Sequence, residues 1–312
     1  MSLMRSLLLA ASQNRWLRER APKHAFVRRA VARFMPGEEL DDMLRAARAL
    51  APDGIHAVFT RLGENVTDWA EADAVASHYL DAIDRVRGVS PSPEPSVKLT
   101  QLGLDLDSAR CYPHVRALAE RTHATGNYLW IDMEQTSYVD VTLALVRRVR
   151  AEFPRVGVCL QAYLYRTADD LGSMIDIGAG VRLVKGAYNE PRTVAFPKKS
   201  DVDANYRSLA ERMIGDRARA AGVRAVLGTH DVAIIDAMRQ HARARNLPAT
   251  AFEVHMLYGI QREAQLRLAR EGVPVRVLVA YGAYWFPWYM RRLAERPANV
   301  WFVLRSLREA GG

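Results

Sequence analysis

The chain has 312 residues, of which 49% are hydrophobic and 25% charged, and its net charge is +9. This length favours one large domain with a small appendage. No apolar run reaches the roughly eighteen residues that a membrane span needs, no convincing secretion signal is present, and the two cysteines match neither a disulfide framework nor a metal motif. We therefore expect a cytoplasmic protein.

The basic residues are scattered over many predicted helices and form no run interleaved with aromatic residues. This distribution is typical of a solvated surface. Attraction to an anionic membrane surface or to phosphate is the alternative, and nucleic acid is the partner that the pattern favours least.

Residues 1–50 are predicted to form a small N-terminal helical segment. Leu3, Leu7 and Leu8 share one helical face, and a second helix is expected from about Gly37 to Leu50. We expect this segment to pack on the rest of the chain. A helix that lies on a membrane surface is the alternative.

Residues 51–312 show eight repeats of a short β-rich run followed by an amphipathic helix. The predicted strands are 56–59, 96–99, 128–131, 157–160, 181–184, 224–227, 251–254 and 275–279. The predicted helices are 67–87, 108–124, 138–153, 167–177, 202–221, 231–246, 261–271 and 285–296. Eight such units in about 250 residues predict an α/β fold of the (β/α)8 TIM-barrel type. The competing open sheet with a dinucleotide site lacks its Gly-x-Gly-x-x-Gly turn.

Polar groups occur at nearly every predicted strand end, where TIM barrels place their chemistry. They are Glu64, Lys98, Asp132, Glu134, Gln161, Lys185, Thr229, His230, Asp231, His255 and Tyr281. Lys98 and Arg182 lie inside apolar strand runs, where an uncompensated charge is costly. Each either pairs with a carboxylate such as Asp132 or contacts an anion or polar ring in a pocket.

The last predicted helix begins with four aromatic residues and continues into Arg291 and Arg292. Glu295 follows them at helical spacing and can hold either guanidinium. A guanidinium fork matches a carboxylate, and aromatic faces can cover an apolar ring. The pattern favours a pocket for a small hydrophobic carboxylate, with an aromatic packing helix as the alternative.

From residue 62 to residue 307 the chain resembles bacterial monofunctional proline dehydrogenases and the corresponding domain of bifunctional proline-utilisation proteins. The motifs that carry the resemblance are Ser96–Leu99, Ile131–Glu134, Leu160–Tyr163, Arg182–Tyr188, Gly228–His230, Met256–Gly259 and Met290–Pro297, in this order on successive units.

The resemblance implies FAD at the barrel mouth and no metal. It places the substrate carboxylate on Lys98, Arg291 and Arg292, supported by Asp132 and Glu295, and the proline ring against Leu183. It places flavin contacts on Gln161, Arg182, Val184, Lys185, Gly186, Thr229 and His230. It also implies an ion-pair gate between Glu64 and Arg291.

Two positions depart from the family pattern, since Leu278 and Trp288 stand where the family usually has the tyrosines of the substrate pocket. His255 likewise stands where glutamine is common. The ring specificity is therefore open, and a hydroxylated, N-alkylated or other cyclic amine acid is the alternative to proline.

The implied reaction transfers a hydride from proline to flavin N5 and yields 1-pyrroline-5-carboxylate. The implied partners are a quinone, with peripheral contact to the inner face of the cytoplasmic membrane, and a functionally coupled pyrroline-carboxylate dehydrogenase. Three rival interpretations are a phosphate-binding barrel, a non-catalytic binding module, and a metal-dependent barrel hydrolase. The hydrolase would take its ligands from Asp132, Glu134, His230, Asp231 and His255.

Overall fold

The computed structural model describes residues 31–63, 66–286 and 288–290. Eight strands form a closed barrel in chain order, each parallel to its neighbours, and β8 closes the barrel on β1. The predicted (β/α)8 barrel is confirmed. The first predicted N-terminal helix lies outside the described residues.

The strands are β1 (Ile55–Arg61), β2 (Glu94–Val97), β3 (Leu129–Ile131), β4 (Val156–Gln161), β5 (Gly180–Val184), β6 (Ala225–Gly228), β7 (Glu253–Leu257) and β8 (Val275–Tyr281). The helices are α1 (Leu40–Leu50), α2 (Trp69–Arg85), α3 (Ser108–Ala124), α4 (Val139–Glu152), α5 (Thr167–Asp176), α6 (Lys199–Met213), α7 (Asp216–Ala220), α8 (Val232–Ala244) and α9 (Arg262–Arg270). In the described part of the chain, no helix is both long and apolar enough to cross a bilayer.

Two predicted elements differ from the observed ones. The second strand ends at Val97, so Lys98 follows the strand and does not lie within it. The helix predicted over 202–221 is interrupted at Ile214 and Gly215 and forms α6 and α7. Glycine lowers helix stability and is frequent where helices end, which explains the break.

Strand alternation divides the apolar residues into two cores. Inside the barrel, Val58, Trp130 and Val226 form a small cluster against which Tyr128 and Leu278 pack. A much larger cluster lies between the strands and the surrounding helices. The inner core fills the middle of the barrel, which leaves the two ends for polar groups.

Helix α1 packs against both β1 and β8 and so occupies the side of the barrel where the chain closes on itself. The described residues of the last predicted helix pack instead with Leu62 and Ala280, at the carboxyl ends of β1 and β8. They are Trp285, Phe286, Trp288, Tyr289 and Met290. Trp285 also donates a hydrogen bond from Nε1 to Glu38 Oε1 at 2.8 Å. The start of the last predicted helix therefore lies at the mouth of the barrel.

Candidate active site

A buried charged group lies toward the carboxyl end of the barrel, namely Arg182 on β5, which is 4% exposed. Its Nη2 donates to Ser96 Oγ at 2.7 Å and to Asp132 Oδ1, and its Nε donates to Cys159 Sγ at 2.8 Å. Ser96 in turn donates to Asp132 at 2.9 Å. The guanidinium also lies 5.2 Å from the Trp130 ring centroid.

Of the two sequence-based interpretations of Arg182, the structure therefore supports pairing with Asp132. The pairing does not use the whole guanidinium, because Nη1 makes no hydrogen bond to the residues that the structure describes. Because Nη1 has no acceptor among the described residues, this buried and charge-balanced arginine can donate from Nη1 to a ligand in the mouth.

Lys98 directly follows β2 and is half-buried. Its charge acts on Glu134, a buried carboxyl that accepts hydrogen bonds from Thr100 N at 3.2 Å and from Thr100 Oγ1 at 2.8 Å. Burial raises the pKa of Glu134, and the positive charge of Lys98 partly opposes that rise. Gln161 Nε2 donates to the backbone oxygen of Glu134 at 2.9 Å. The ends of β2, β3 and β4 thus meet in one polar network.

β5 ends at Val184, and the chain turns at Lys185 and Gly186. Lys185 Nζ donates to Asp203 Oδ1 at 2.5 Å and to Asp231 Oδ2 at 2.7 Å. Gly186 has φ +118°, and a Cβ at this position would lie 2.3 Å from the Tyr163 ring. Only glycine fits such a backbone. The lysine charge is therefore held between α6 and α8, while the backbone beside it stays uncovered by a side chain.

After β6, Thr229 and His230 precede the first turn of α8. Asp231 caps this helix by accepting from Ile234 N at 3.4 Å, and Thr229 Oγ1 accepts from Asp231 N at 3.1 Å. His230 Nε2 accepts a hydrogen bond from the Leu257 backbone N–H at 2.8 Å. Since Nε2 is an acceptor, the neutral ring carries its proton on Nδ1.

The structure does not bring Leu183 to the mouth, contrary to the role that the resemblance gave it. Leu183 alternates with Arg182 on β5, so it faces away from the barrel interior, and it is fully buried in the core shared with the helices. Leu257 shares a strand face with His255 and is half-buried at the end of β7, beside Leu278 on β8. Leu257 therefore faces the mouth, which Leu183 does not.

The two positions that depart from the family pattern both reach this end of the molecule. Leu278 is partly exposed and packs on the core inside the barrel. Trp288 is half-buried and packs on the cluster that contains Leu62 and Ala280. Neither side chain carries a hydroxyl group.

Sequence reasoning missed a charged network at the opposite, amino-terminal end of the barrel. Arg224 binds Glu253 with two hydrogen bonds of 2.6 and 2.8 Å and lies 3.0 Å from Glu94. Arg276 lies 3.0 Å from Glu94 and 3.1 Å from Glu253. Trp130 Nε1 donates to Glu94 at 2.7 Å. Polar residues at this end of a TIM barrel usually stabilise the fold.

The sequence did contain a signal for this basal network. Glu94, Arg224, Glu253 and Arg276 each lie at or near the first residue of a strand. Which of them pair could not be read from the sequence, because the partners are up to 182 residues apart, between 94 and 276.

The ligand set of the rival metal hydrolase does not converge. Within residues 31–63, 66–286 and 288–290, no three histidine, cysteine or carboxylate side chains are placed to hold one metal ion. Asp132 is bonded to Arg182, and Asp231 is bonded to Lys185. Four other predicted site residues, Glu64, Arg291, Arg292 and Glu295, lie outside the described residues.

Comparisons with known proteins agree with the motifs. A family model described as proline dehydrogenase matches residues 43–305. Proline dehydrogenase 1 of Bacillus subtilis is 37% identical over 305 residues, which cover 98% of this chain and 99% of that protein. A proline dehydrogenase of Deinococcus radiodurans is 37% identical over 280 residues, which cover 88% of this chain and 89% of that protein.

Among solved structures, the fold is similar to that of proline utilization A from Bdellovibrio bacteriovorus, inactivated by N-propargylglycine. The TM-score is 0.81 at 21% identity, and the match covers 93% of this chain and 36% of that one. This likeness concerns the barrel fold alone. The family match and these two relatives show that the chain belongs to the proline dehydrogenase family.

Proposed function

We propose that the chain binds FAD at the carboxyl end of the barrel and oxidises L-proline to 1-pyrroline-5-carboxylate. As a family member the chain is an oxidoreductase that acts on proline. The cofactor, the product and the route of the electrons are the parts that we propose. The observation that carries the proposal is the buried, charge-balanced Arg182 below the mouth. When bound, FAD supplies the acceptor for a hydride from the ring carbon next to nitrogen.

The donors at this end of the barrel suit the polar edge of a flavin ring. They are the Nη1 group of Arg182, the Nδ1–H of His230 and the hydroxyl of Thr229, together with Gln161 at the end of β4. Val184 and the bare backbone of Gly186 lie beside them. Lys185 has its ammonium engaged by two carboxylates, so we assign its cofactor contact to the backbone.

Arg182 contributes a fixed positive charge where water is largely excluded. Such preorganised charge stabilises negative charge that develops nearby during a reaction, without the cost of reorienting solvent. Asp132 and Ser96 keep the guanidinium in place before a ligand arrives. Asp132 is thus a positioning residue, because it acts on the reaction by holding Arg182 in place.

Three cations are predicted to bind the substrate carboxylate, and one of them, Lys98, lies among the residues that the structure describes. We propose that Arg291 and Arg292, held by Glu295, complete this carboxylate site. Three cations around one carboxylate would fix the substrate's orientation and bring its reacting carbon to the cofactor. Closure of the gate between Glu64 and Arg291 would exclude water once substrate binds. Changing Arg291 or Arg292 to methionine should raise the KM for proline. An unchanged KM would show that the changed residue does not bind the substrate carboxylate.

We propose that Leu257, Leu278 and Trp288 form the wall against the substrate ring. Leu278 is partly exposed inside the barrel, so its side chain is open to the mouth. Because this wall lacks the usual hydroxyl groups, a second candidate is the same reaction on a hydroxylated, N-alkylated or other cyclic amine acid.

For the electrons we propose a membrane quinone, reached by peripheral docking from the cytoplasm. The support is the net charge of +9, which attracts the chain to anionic lipid. We propose that the product then passes to a functionally coupled pyrroline-carboxylate dehydrogenase.

A substrate panel tests the proposal. Purified protein should be yellow, and anaerobic L-proline should bleach it, with D-proline as the stereochemical control and trans-4-hydroxyproline and N-methylproline as the competing substrates. Bleaching by an analogue but not by proline would keep the reaction type and replace the substrate. Colourless protein that binds no added FAD would contradict the cofactor.

A further inference from the structure

Cys159 lies beside the charged pair of the site. It is on β4 at the position that pairs with Arg182 on β5. Its Sγ accepts a hydrogen bond from Arg182 Nε at 2.8 Å and donates to Asp132 Oδ1 at 3.5 Å. The side chain is 5% exposed. The thiol therefore touches both members of the ion pair.

Three side chains from consecutive parts of the barrel surround the Arg182 guanidinium. Ser96 is on β2, Asp132 follows β3, and Cys159 is on β4. Ser96 and Asp132 both bind Nη2, whereas Cys159 is the described partner of Nε. A planar guanidinium held through one nitrogen can still rotate about that contact, and a second contact at Nε fixes its plane.

We propose that Cys159 is a positioning residue that orients the Arg182 guanidinium so that Nη1 points toward the barrel mouth. The inference rests on the proposed function in one respect, namely that Nη1 meets the cofactor. The contact itself between thiol, guanidinium and carboxylate does not depend on any ligand.

The chemistry of the thiol suits this role. Burial raises the pKa of Cys159 to about 12, so the group keeps its S–H and can accept from Arg182 while it donates to Asp132. Serine offers the same two functions. Alanine and valine offer neither, and valine also keeps a side chain of comparable bulk, so it separates the loss of the hydrogen bonds from the loss of volume.

The first test reads the contact directly by infrared spectroscopy of the S–H stretching band. The Cys159 band, identified as the signal lost in Cys159→Ser, should lie at lower frequency than the band of Cys111, identified in Cys111→Ser. Cys111 is the matched control because it is also buried, and its Sγ donates to an uncharged acceptor, the Leu99 backbone oxygen, over a longer distance of 3.8 Å. The Cys159 band should shift in Asp132→Asn. Equal frequencies and no shift would overturn the inference.

The second test asks whether orientation matters to the reaction. Cys159→Ala and Cys159→Val should lower kcat on the order of tenfold to a hundredfold, change the KM for proline much less, and make the flavin harder to reduce in a potentiometric titration. Cys159→Ser should keep kcat within about twofold of the value for the starting protein. The control variant Cys111→Ala should also keep kcat within about twofold of that value.

The positioning role of Cys159 and the proposed function can be refuted separately. If proline does not reduce the flavin of the starting protein, the proposed function is wrong. The infrared bands still show whether the Cys159 thiol contacts Arg182 and Asp132. If the starting protein is active and Cys159→Val matches it in kcat and in flavin potential, the positioning role is wrong while the proposed function stands.

Discussion

Replacing His255 by glutamine should make the folded protein more resistant to mild acid. His255 is 5% exposed inside the barrel, edge-on to Trp130 at a centroid distance of 5.5 Å. Its Nε2 lies 3.5 Å from Glu253 Oε2 without forming a hydrogen bond of good geometry. Glutamine is a side chain of similar reach that carries no charge at any pH.

The magnitude follows from the pKa. Burial, assisted by the charge of Arg182, lowers the pKa of His255 from 6.5 to about 3. Between these values the unfolded chain binds a proton that the folded chain does not, so folding stability falls as the pH drops. From pH 7 to pH 5 the loss from this residue amounts to about 2 kcal/mol.

Urea unfolding followed by circular dichroism at pH 7 and pH 5 measures this difference. The His255→Gln variant should lose about 2 kcal/mol less than the starting protein over that interval, while the control His123→Gln, at an exposed histidine, should change nothing. If the free energy of unfolding depends on pH equally in His255→Gln and in the starting protein, the reasoning is wrong. Glu253 would then stabilise the charged form of His255, and burial would not decide its protonation state.

Three further predictions concern the base of the barrel, the turn after β5 and the pocket wall. Glu94→Ala should cost about 3–5 kcal/mol in urea unfolding because it leaves the Arg224 and Arg276 charges short of a partner; a cost below about 1 kcal/mol would mean that solvent screens the basal network. Gly186→Ala should reduce flavin content after purification and cost about 1–3 kcal/mol, since φ is +118°; full flavin occupancy would contradict the assigned contact. Leu278→Tyr should lower the KM for proline relative to N-methylproline, and an unchanged ratio would remove Leu278 from the pocket wall.

The sequence predicted the barrel well because strand and helix periodicities are local. It predicted the approximate positions of all eight strands, and it offered the pairing of Arg182 with Asp132 as one of two alternatives. The choice between them needed the register, which places Arg182 beside Cys159 and within reach of Ser96.

The errors have physical causes too. The motif around Leu183 suggested a pocket residue, but alternation along β5 allows only one of Arg182 and Leu183 to face inward, and the charged residue does so. The position of α1 against β1 and β8 was not predictable, because helical patterns do not say which strands a helix packs on. The basal network joins residues far apart in the chain and needed the closed barrel to become visible.

The most direct test of the central claim is rapid anaerobic mixing of the purified protein with L-proline, compared with two variants. The starting protein and Arg147→Met, which changes an exposed arginine on α4, should show rapid loss of the oxidised flavin absorbance. Arg182→Met should retain the fold and reduce its flavin on the order of a hundredfold or more slowly. Equal rates of flavin reduction in Arg182→Met and the starting protein would contradict the role assigned to the buried arginine.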